Sequence, residues 1–164
     1  MKFIVSSGDL LKQLQIVGGV LNNNNTLAIL DNFLFSLSGS NLQIMASDLE
    51  STISASMDVQ GDEDGVVAIP ARLLLDGLKA LPAQPVTFTS DESSSTIEIS
   101  SNDGRYSLAY VSGEEFPQLP EMEDVSTTSI KGEILAEQYQ KPGMAVLLES
   151  GHTTLVHPEH AWPM

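Results

Sequence analysis

Cysteine is absent from the 164 residues, so no disulfide framework is open to this chain, which fits a reducing compartment. Positive charge is nearly as scarce: 7 lysines and arginines stand against 22 aspartates and glutamates, a formal net charge of −15. A protein that holds DNA by neutralising phosphates should look basic. Charge alone therefore points to a solvated acidic surface and away from nucleic acid. Long apolar runs are missing too. Asp9, Lys12, Gln13 and Gln15 interrupt the h-region that a secretory leader would need, and no run is long enough to span a bilayer. No signal peptide, no membrane partner and a cytoplasmic location are expected. What remains is a foldable chain, 41% hydrophobic and 18% charged, of a length that suits one domain.

The positive signal is an internal repeat. Lys2 to Val5 alternates as an edge strand, and Asp9 to Leu21 places Leu10, Leu11, Leu14, Val17 and Leu21 at helical spacing. The period then drops to two in Phe33 to Leu37, Leu42 to Ala46 and Thr52 to Val59. The order recurs in Gly65 to Val111. Val66 to Ile69 is a strand, and Pro70 opens a helix to Leu81 whose apolar stripe is Leu74, Leu75, Leu78 and Leu81. Strands Val86 to Ser90, Thr96 to Ser100 and Tyr106 to Val111 follow, with turns at 91–95 and 102–104. The expected fold is α+β, two strand-helix-three-strand repeats with two helices packed on antiparallel sheets. Acidic clusters at 62–64 and 114–124 are expected as solvated loops.

Local phrases extend this reading. Met1-Lys2-Phe3, Asp9-Leu10-Leu11-Lys12, the stretch Thr26 to Leu34 and Ala46-Ser47-Asp48-Leu49-Glu50 resemble, in order and spacing, the start of bacterial DNA polymerase sliding clamps, the beta-subunit family. Ile69-Pro70-Ala71-Arg72, Gly104-Arg105-Tyr106-Ser107-Leu108 and Gly113-Glu114-Glu115-Phe116-Pro117 carry the resemblance to about Pro120. It implies one clamp domain of a non-enzymatic processivity factor for DNA replication. In that family three such domains per chain, and two chains head to tail, form a ring around duplex DNA and tether the polymerase. No cofactor is implied. Encirclement also removes the difficulty with charge, because a topological link needs no dense set of phosphate contacts.

The resemblance directs a basic side chain of the second helix toward the hole, which here is Arg72. Lys79, two turns on, lies near the same face. Lys12 on the first helix is a further DNA-binding candidate, and a solvated surface cation is the alternative for each. Where many members carry an arginine before Thr26, this chain has Asn22 to Asn25, and Asn24 could reach a phosphate only as a neutral group. Ala28 replaces a usual proline, with packing as its expected role. At the subunit interface the resemblance pairs the last strand with the third domain of the other subunit, and Arg105, Tyr106 and Leu108 fall there. Ordinary strand packing is the alternative.

The likeness divides the chain into 1–125, a clamp domain, 126–137, the opening of a second, and 138–164, a divergent tail expected to be poorly ordered. The change of composition at Gln138 suggests a truncated or frame-shifted coding region, or a fragment joined to unrelated sequence, with a divergent natural tail as the rival reading. The polymerase and clamp-loader site, which the family places in later domains, is then expected to be missing. The tail holds His152, His157 and His160, yet without cysteines and among prolines they make no zinc frame. A serine hydrolase built on Ser150 and His152 lacks an evident third group, so neither catalytic nor metal residues are expected. A non-enzymatic fragment that binds a clamp seam is the other reading.

Overall fold

The computed structural model describes residues 1–21 and 27–117, together with the backbone of 145–149 and 152–156. Strand β1 (Lys2–Ser6) buries Phe3 and Val5 and turns Lys2, Ile4 and Ser6 outward. The helix α1 (Ser7–Val17) starts two residues before the expected Asp9, because the Ser6 hydroxyl accepts the Asp9 N–H and caps the first turn. It also stops four residues before Leu21, passing into a 3-10 turn at Gly18–Val20. Gly18 has ordinary φ, and its use is space: a Cβ there would stand 3.3 Å from the Phe33 ring. Ala28 heads a second 3-10 turn, Ala28–Asp31, but is exposed, and Leu30 does the packing.

Strands β2 (Asn32–Ser38), β3 (Asn41–Ser47) and β4 (Thr52–Asp58) form an antiparallel meander. Val59, expected to end β4, is instead a buried hinge before β5 (Gln60–Glu63), so part of the acidic cluster at 62–64 is strand and not loop. It is still solvated: Asp62 lies 2.6 Å from the Lys2 ammonium, and both groups are exposed. In the second copy, β6 (Gly65–Pro70) leads directly into α2 (Ala71–Ala80). Pro70 is the last strand residue and the cap of α2, not its first-turn residue as the sequence predicts. Its ring is tolerated because the neighbour on that side of β6 reaches only Val67 and Ala68. Strands β7 (Pro85–Asp91), β8 (Thr96–Ser100) and β9 (Arg105–Ala109) follow. The predicted strand to Val111 breaks at Tyr110, and β10 (Val111–Ser112) joins the other sheet before a 3-10 turn at Gly113–Glu115.

The two copies exchange their first strands. Sheet A has the order β5-β1-β7-β8-β9 and sheet B the order β10-β6-β2-β3-β4. Thus β1 is internal, not an edge strand: it lies between β5 of its own copy and β7 of the other. Likewise β6 lies between β10 and β2. Phe3 and Phe88, cross-strand partners in sheet A, stack with centroids 4.8 Å apart, and Phe35 of sheet B meets them at 6.4 and 6.3 Å. One continuous apolar core results, with α1 and α2 packed on each other and into it through Leu10, Leu14, Val17, Leu74 and Leu78.

The tail contains strands β11 (Ala145–Glu149) and β12 (His152–Val156), paired in antiparallel register from Ala145 opposite Val156 to Glu149 opposite His152. The remaining residues of 118–164, including all of the segment 126–137 read as a second domain's opening, lie outside the described residues.

The route from sheet B to sheet A passes over the β2-β3 turn. The Val59 N–H donates to the Ser40 carbonyl at 2.8 Å, the Gly39 N–H donates to Asp64 Oδ1 at 2.8 Å, and the backbone of Gly61 presses on the Gly39 carbonyl. A Cβ at position 61 would collide with that oxygen, which is backbone and cannot swing aside. Gly61→Ala is expected to lower stability by about 1 to 3 kcal/mol, the usual cost of overpacking, read as a fall in urea midpoint at constant m. An unchanged midpoint would show that the crossing is loose.

Candidate nucleic-acid interface and subunit edge

Charge is distributed unevenly over the fold. Of the five lysines and arginines within 1–117, Lys12, Arg72 and Lys79 sit on the two helices, while most of the carboxylates of that stretch belong to strands and their turns. Amphipathic spacing explains the presentation: α2 buries Ala71, Leu74 and Leu78 and leaves Arg72, Asp76 and Lys79 exposed. Arg72 and Lys79 are seven residues apart, about 10 Å along the axis. Both line one cleft of about 460 Å³, bordered by Gly18 and Leu21 at the two ends of the 3-10 turn that follows α1 and by Asp31, Leu75 and Asp76. Among the described residues neither Arg72 nor Lys79 forms an ion pair. Asp31 and Asp76 dilute the positive field, so the cleft can touch an anion without gripping it.

Lys12 is less available. Its ammonium lies 3.0 Å from Asp9 Oδ1, one turn earlier, and that bond together with the Ser6 contact holds the Asp9 carboxyl below its ordinary range. Both groups are exposed, so the pair is weak and an incoming phosphate can compete with it. Asn24 lies outside the described residues.

Arg105, Tyr106 and Leu108 all lie on β9, the terminal strand of sheet A, whose far side has no partner among the described residues. Alternation splits them. Arg105 is exposed on the outer face, while Tyr106 and Leu108 are half-buried and pack against the core. Tyr106 runs beneath α2: a Cβ on Gly77 would come within 2.8 Å of its hydroxyl. Gly77, which reading the sequence did not single out, is therefore the seat of Tyr106. A glycine inside an otherwise regular amphipathic helix was the signal for it. The hydroxyl is shielded from solvent with no hydrogen-bond partner among the described residues, and burial raises its pKa above the ordinary value.

Ser150, His157 and His160 lie outside the described residues, and His152 is fixed only as the first backbone position of β12. Among the described residues no group of three or more His, Asp or Glu is placed to hold a metal ion. No helix there is long and apolar enough to cross a membrane.

Residues 1–120 match the model of one protein family, described as the DNA polymerase III beta subunit, N-terminal domain. The chain belongs to that family. A beta sliding clamp of Vibrio harveyi is 32% identical over 145 residues, 85% of this chain and 99% of that sequence. The beta sliding clamp of Vibrio cholerae is 32% identical over 131 residues, 79% of this chain and 36% of the relative. Crystal structures agree: the DNA polymerase sliding clamp of Caulobacter crescentus superposes with a TM-score of 0.70 at 29% identity, covering 74% of this chain and 33% of that one. A Pseudomonas aeruginosa sliding clamp bound to griselimycin gives 0.70 at 29%, covering 77% and 34%. The chain thus spans about a third of the length of the Vibrio cholerae clamp and of both solved clamps. All the site residues named above within 1–117 fall inside the sliding-clamp match.

The Tyr106 phenol gives a test with a defined sign. In the unfolded chain it ionises near pH 10, whereas in the fold it keeps its proton longer. The unfolded state then binds fewer protons, so stability falls as pH climbs from about 10 through the folded value, and is unaffected below. Tyr106→Phe is expected to remove that share of the alkaline loss. At pH 7 it should leave stability equal or higher by about 1 kcal/mol, because an unpaired hydroxyl is deleted. Urea unfolding at pH 7 and 10.5 reads both effects, and a variant clearly weaker at pH 7 would mean that the hydroxyl has a partner.

Proposed function

We propose that this chain acts as the N-terminal domain of a ring-shaped DNA sliding clamp, a non-enzymatic processivity factor in the bacterial cytoplasm. In this reading the helix layer faces duplex DNA, β9 closes the ring against another clamp subunit, and the ring tethers the replicative polymerase. The observation that carries it is the sorting of charge. A strongly acidic chain keeps Arg72 and Lys79 on one exposed face of α2, beside the end of α1, without ion-pair partners among the described residues. Few, diluted cations suit a partner that must slide, since each tight phosphate contact would add to the barrier for movement. Polymerase and clamp-loader contacts belong, in this reading, to segments beyond the match. The open edge of β9 supports a second role, as a non-enzymatic fragment that occupies a clamp seam, with Arg105 placed to meet a carboxylate on the partner.

Titration of the labelled chain with a short DNA duplex at low salt is expected to shift NMR signals on α1 and α2 and to leave the sheets unmoved. Arg72→Ala and Lys79→Ala should each weaken the interaction and reduce its salt slope by about one. Shifts centred on the sheets, or none at low salt, would sink the DNA-facing assignment. The edge is tested separately with a full-length clamp subunit whose own first-domain edge strand is disabled. Binding that Arg105→Glu weakens at least fivefold is expected, and no binding by the unaltered chain removes the seam role.

A further inference from the structure

We propose that strand β11 of the tail adds to the free side of β4 as a sixth strand of sheet B, an internal strap over an edge that the rest of the fold leaves bare. β4 ends sheet B, and beyond β3 it has no hydrogen-bonded neighbour among the described residues. Edge strands are usually short, or carry lysine, proline or inward charge that discourages pairing with another chain. β5 is four residues long with Asp62 and Glu63, β10 is two residues long, and β9 begins with Arg105. β4 is seven residues, Thr52-Ile53-Ser54-Ala55-Ser56-Met57-Asp58, with no charge before its last position. It is the longest and least protected edge of the described fold.

The tail supplies what that edge lacks. Its two five-residue segments, rich in valine, leucine and threonine, are separated only by Ser150 and Gly151 and pair in register as a hairpin. A two-stranded hairpin is marginal in water by itself and needs a third strand or another surface. β11 runs beside β4, with Cα atoms of the two within 8 Å, although it does not share the ladder of sheet B. A small approach would pair backbone groups that β4 otherwise offers to any passing strand. Because the strap is tethered, it competes with a second copy at the high effective concentration of an intramolecular contact. The tail would thereby keep this edge from recruiting other chains, an arrangement that rests on the seam-occupying role proposed above, in which β9 alone meets a partner.

Hydrogen exchange on the full 164-residue chain tests this. The β4 amides that point away from β3 are expected to be protected, and Leu147→Pro, which removes a strand N–H and breaks β11, should speed their exchange at least tenfold while β2 and β7 keep theirs. The same variant should begin to self-associate with rising concentration in sedimentation. Outward β4 amides that exchange freely in the unaltered chain, or are indifferent to Leu147→Pro, overturn the proposal. If the variant loses protection throughout, cysteines decide. The native chain has none, so Ser56→Cys combined with single cysteines at 145–149 should form disulfides within one molecule. Failure to cross-link, or links only between molecules, assigns the edge to a second copy or to nothing.

Discussion

The exchange of first strands between the two repeats is the constraint on which the rest of the structure depends. Had β1 stayed with β2 to β4, each copy would be a small sheet with one helix, and each would need to bury its own apolar face alone. Domains of that size bury too small a share of their surface to be stable unaided. With β1 seated against β7, and β6 against β2, neither sheet exists without the other copy. The Phe3, Phe88 and Phe35 cluster is where this becomes energy. Each buried phenylalanine is worth about 1.5 to 3 kcal/mol, and the three come from two sheets and both repeats. Loss of one ring therefore weakens the joint between copies and not merely one strand.

From that joint the placement of the helices follows. Both helices lie on the same core, packed against each other, which brings the end of α1 beside the start of α2 and forms the cleft holding Arg72 and Lys79. The acidic total ceases to argue against a nucleic-acid partner once charge is located by layer, because a field is set by where charges stand and not by their sum. Asp31 and Asp76 within the same cleft set an upper bound on its attraction. A site built for tight, sequence-reading contact would have excluded them.

The elements were legible in the sequence to within a few residues, because periods of two and of 3.6 are written directly in Phe33 to Leu37 and in Leu74 to Leu81. Their pairing was not. Alternation says that Phe3 and Val5 face a core, but it does not say whose, and so an internal strand looked like an edge. Val59 and Tyr110 hid the breaks into β5 and β10 for a similar reason: apolar and aromatic residues continue a strand pattern, and only the tertiary crossing over Gly39 and Ser40 ends it. Ser6 as a cap could have been read from its place three residues before Asp9, and Pro70 shows that a proline at a helix start can cap it from a strand. Of the candidate site, the positions came from the family resemblance and their exposure from the amphipathic stripe. The seating of Tyr106 on Gly77 came from neither, since it joins residues twenty-nine positions apart, where the Tyr106 ring meets the bare backbone of Gly77 only after α2 packs over β9.

The pseudo-symmetry that the exchange creates also dictates where the molecule can be extended. In each sheet one end is a short strand folded back from the copy's own chain, β5 or β10, and the other end is the third strand of the meander, β9 or β4. The two longer ends are therefore equivalent positions in the repeat, and a second strand could add at either by the same backbone geometry. Their chemistry differs. β9 carries Arg105 on its outer face, which favours a partner with a matching charge, whereas β4 is uncharged along most of its length and offers an added strand no charge to match. Two like edges on one unit form a head-to-tail, heterologous interface, which closes into a ring or runs on as a fibre according to the angle between units. A chain with both edges open would thus be at risk of uncontrolled assembly, and covering β4 leaves a unit that joins a partner through β9 alone, the state of a seam-occupying fragment and not of a ring member.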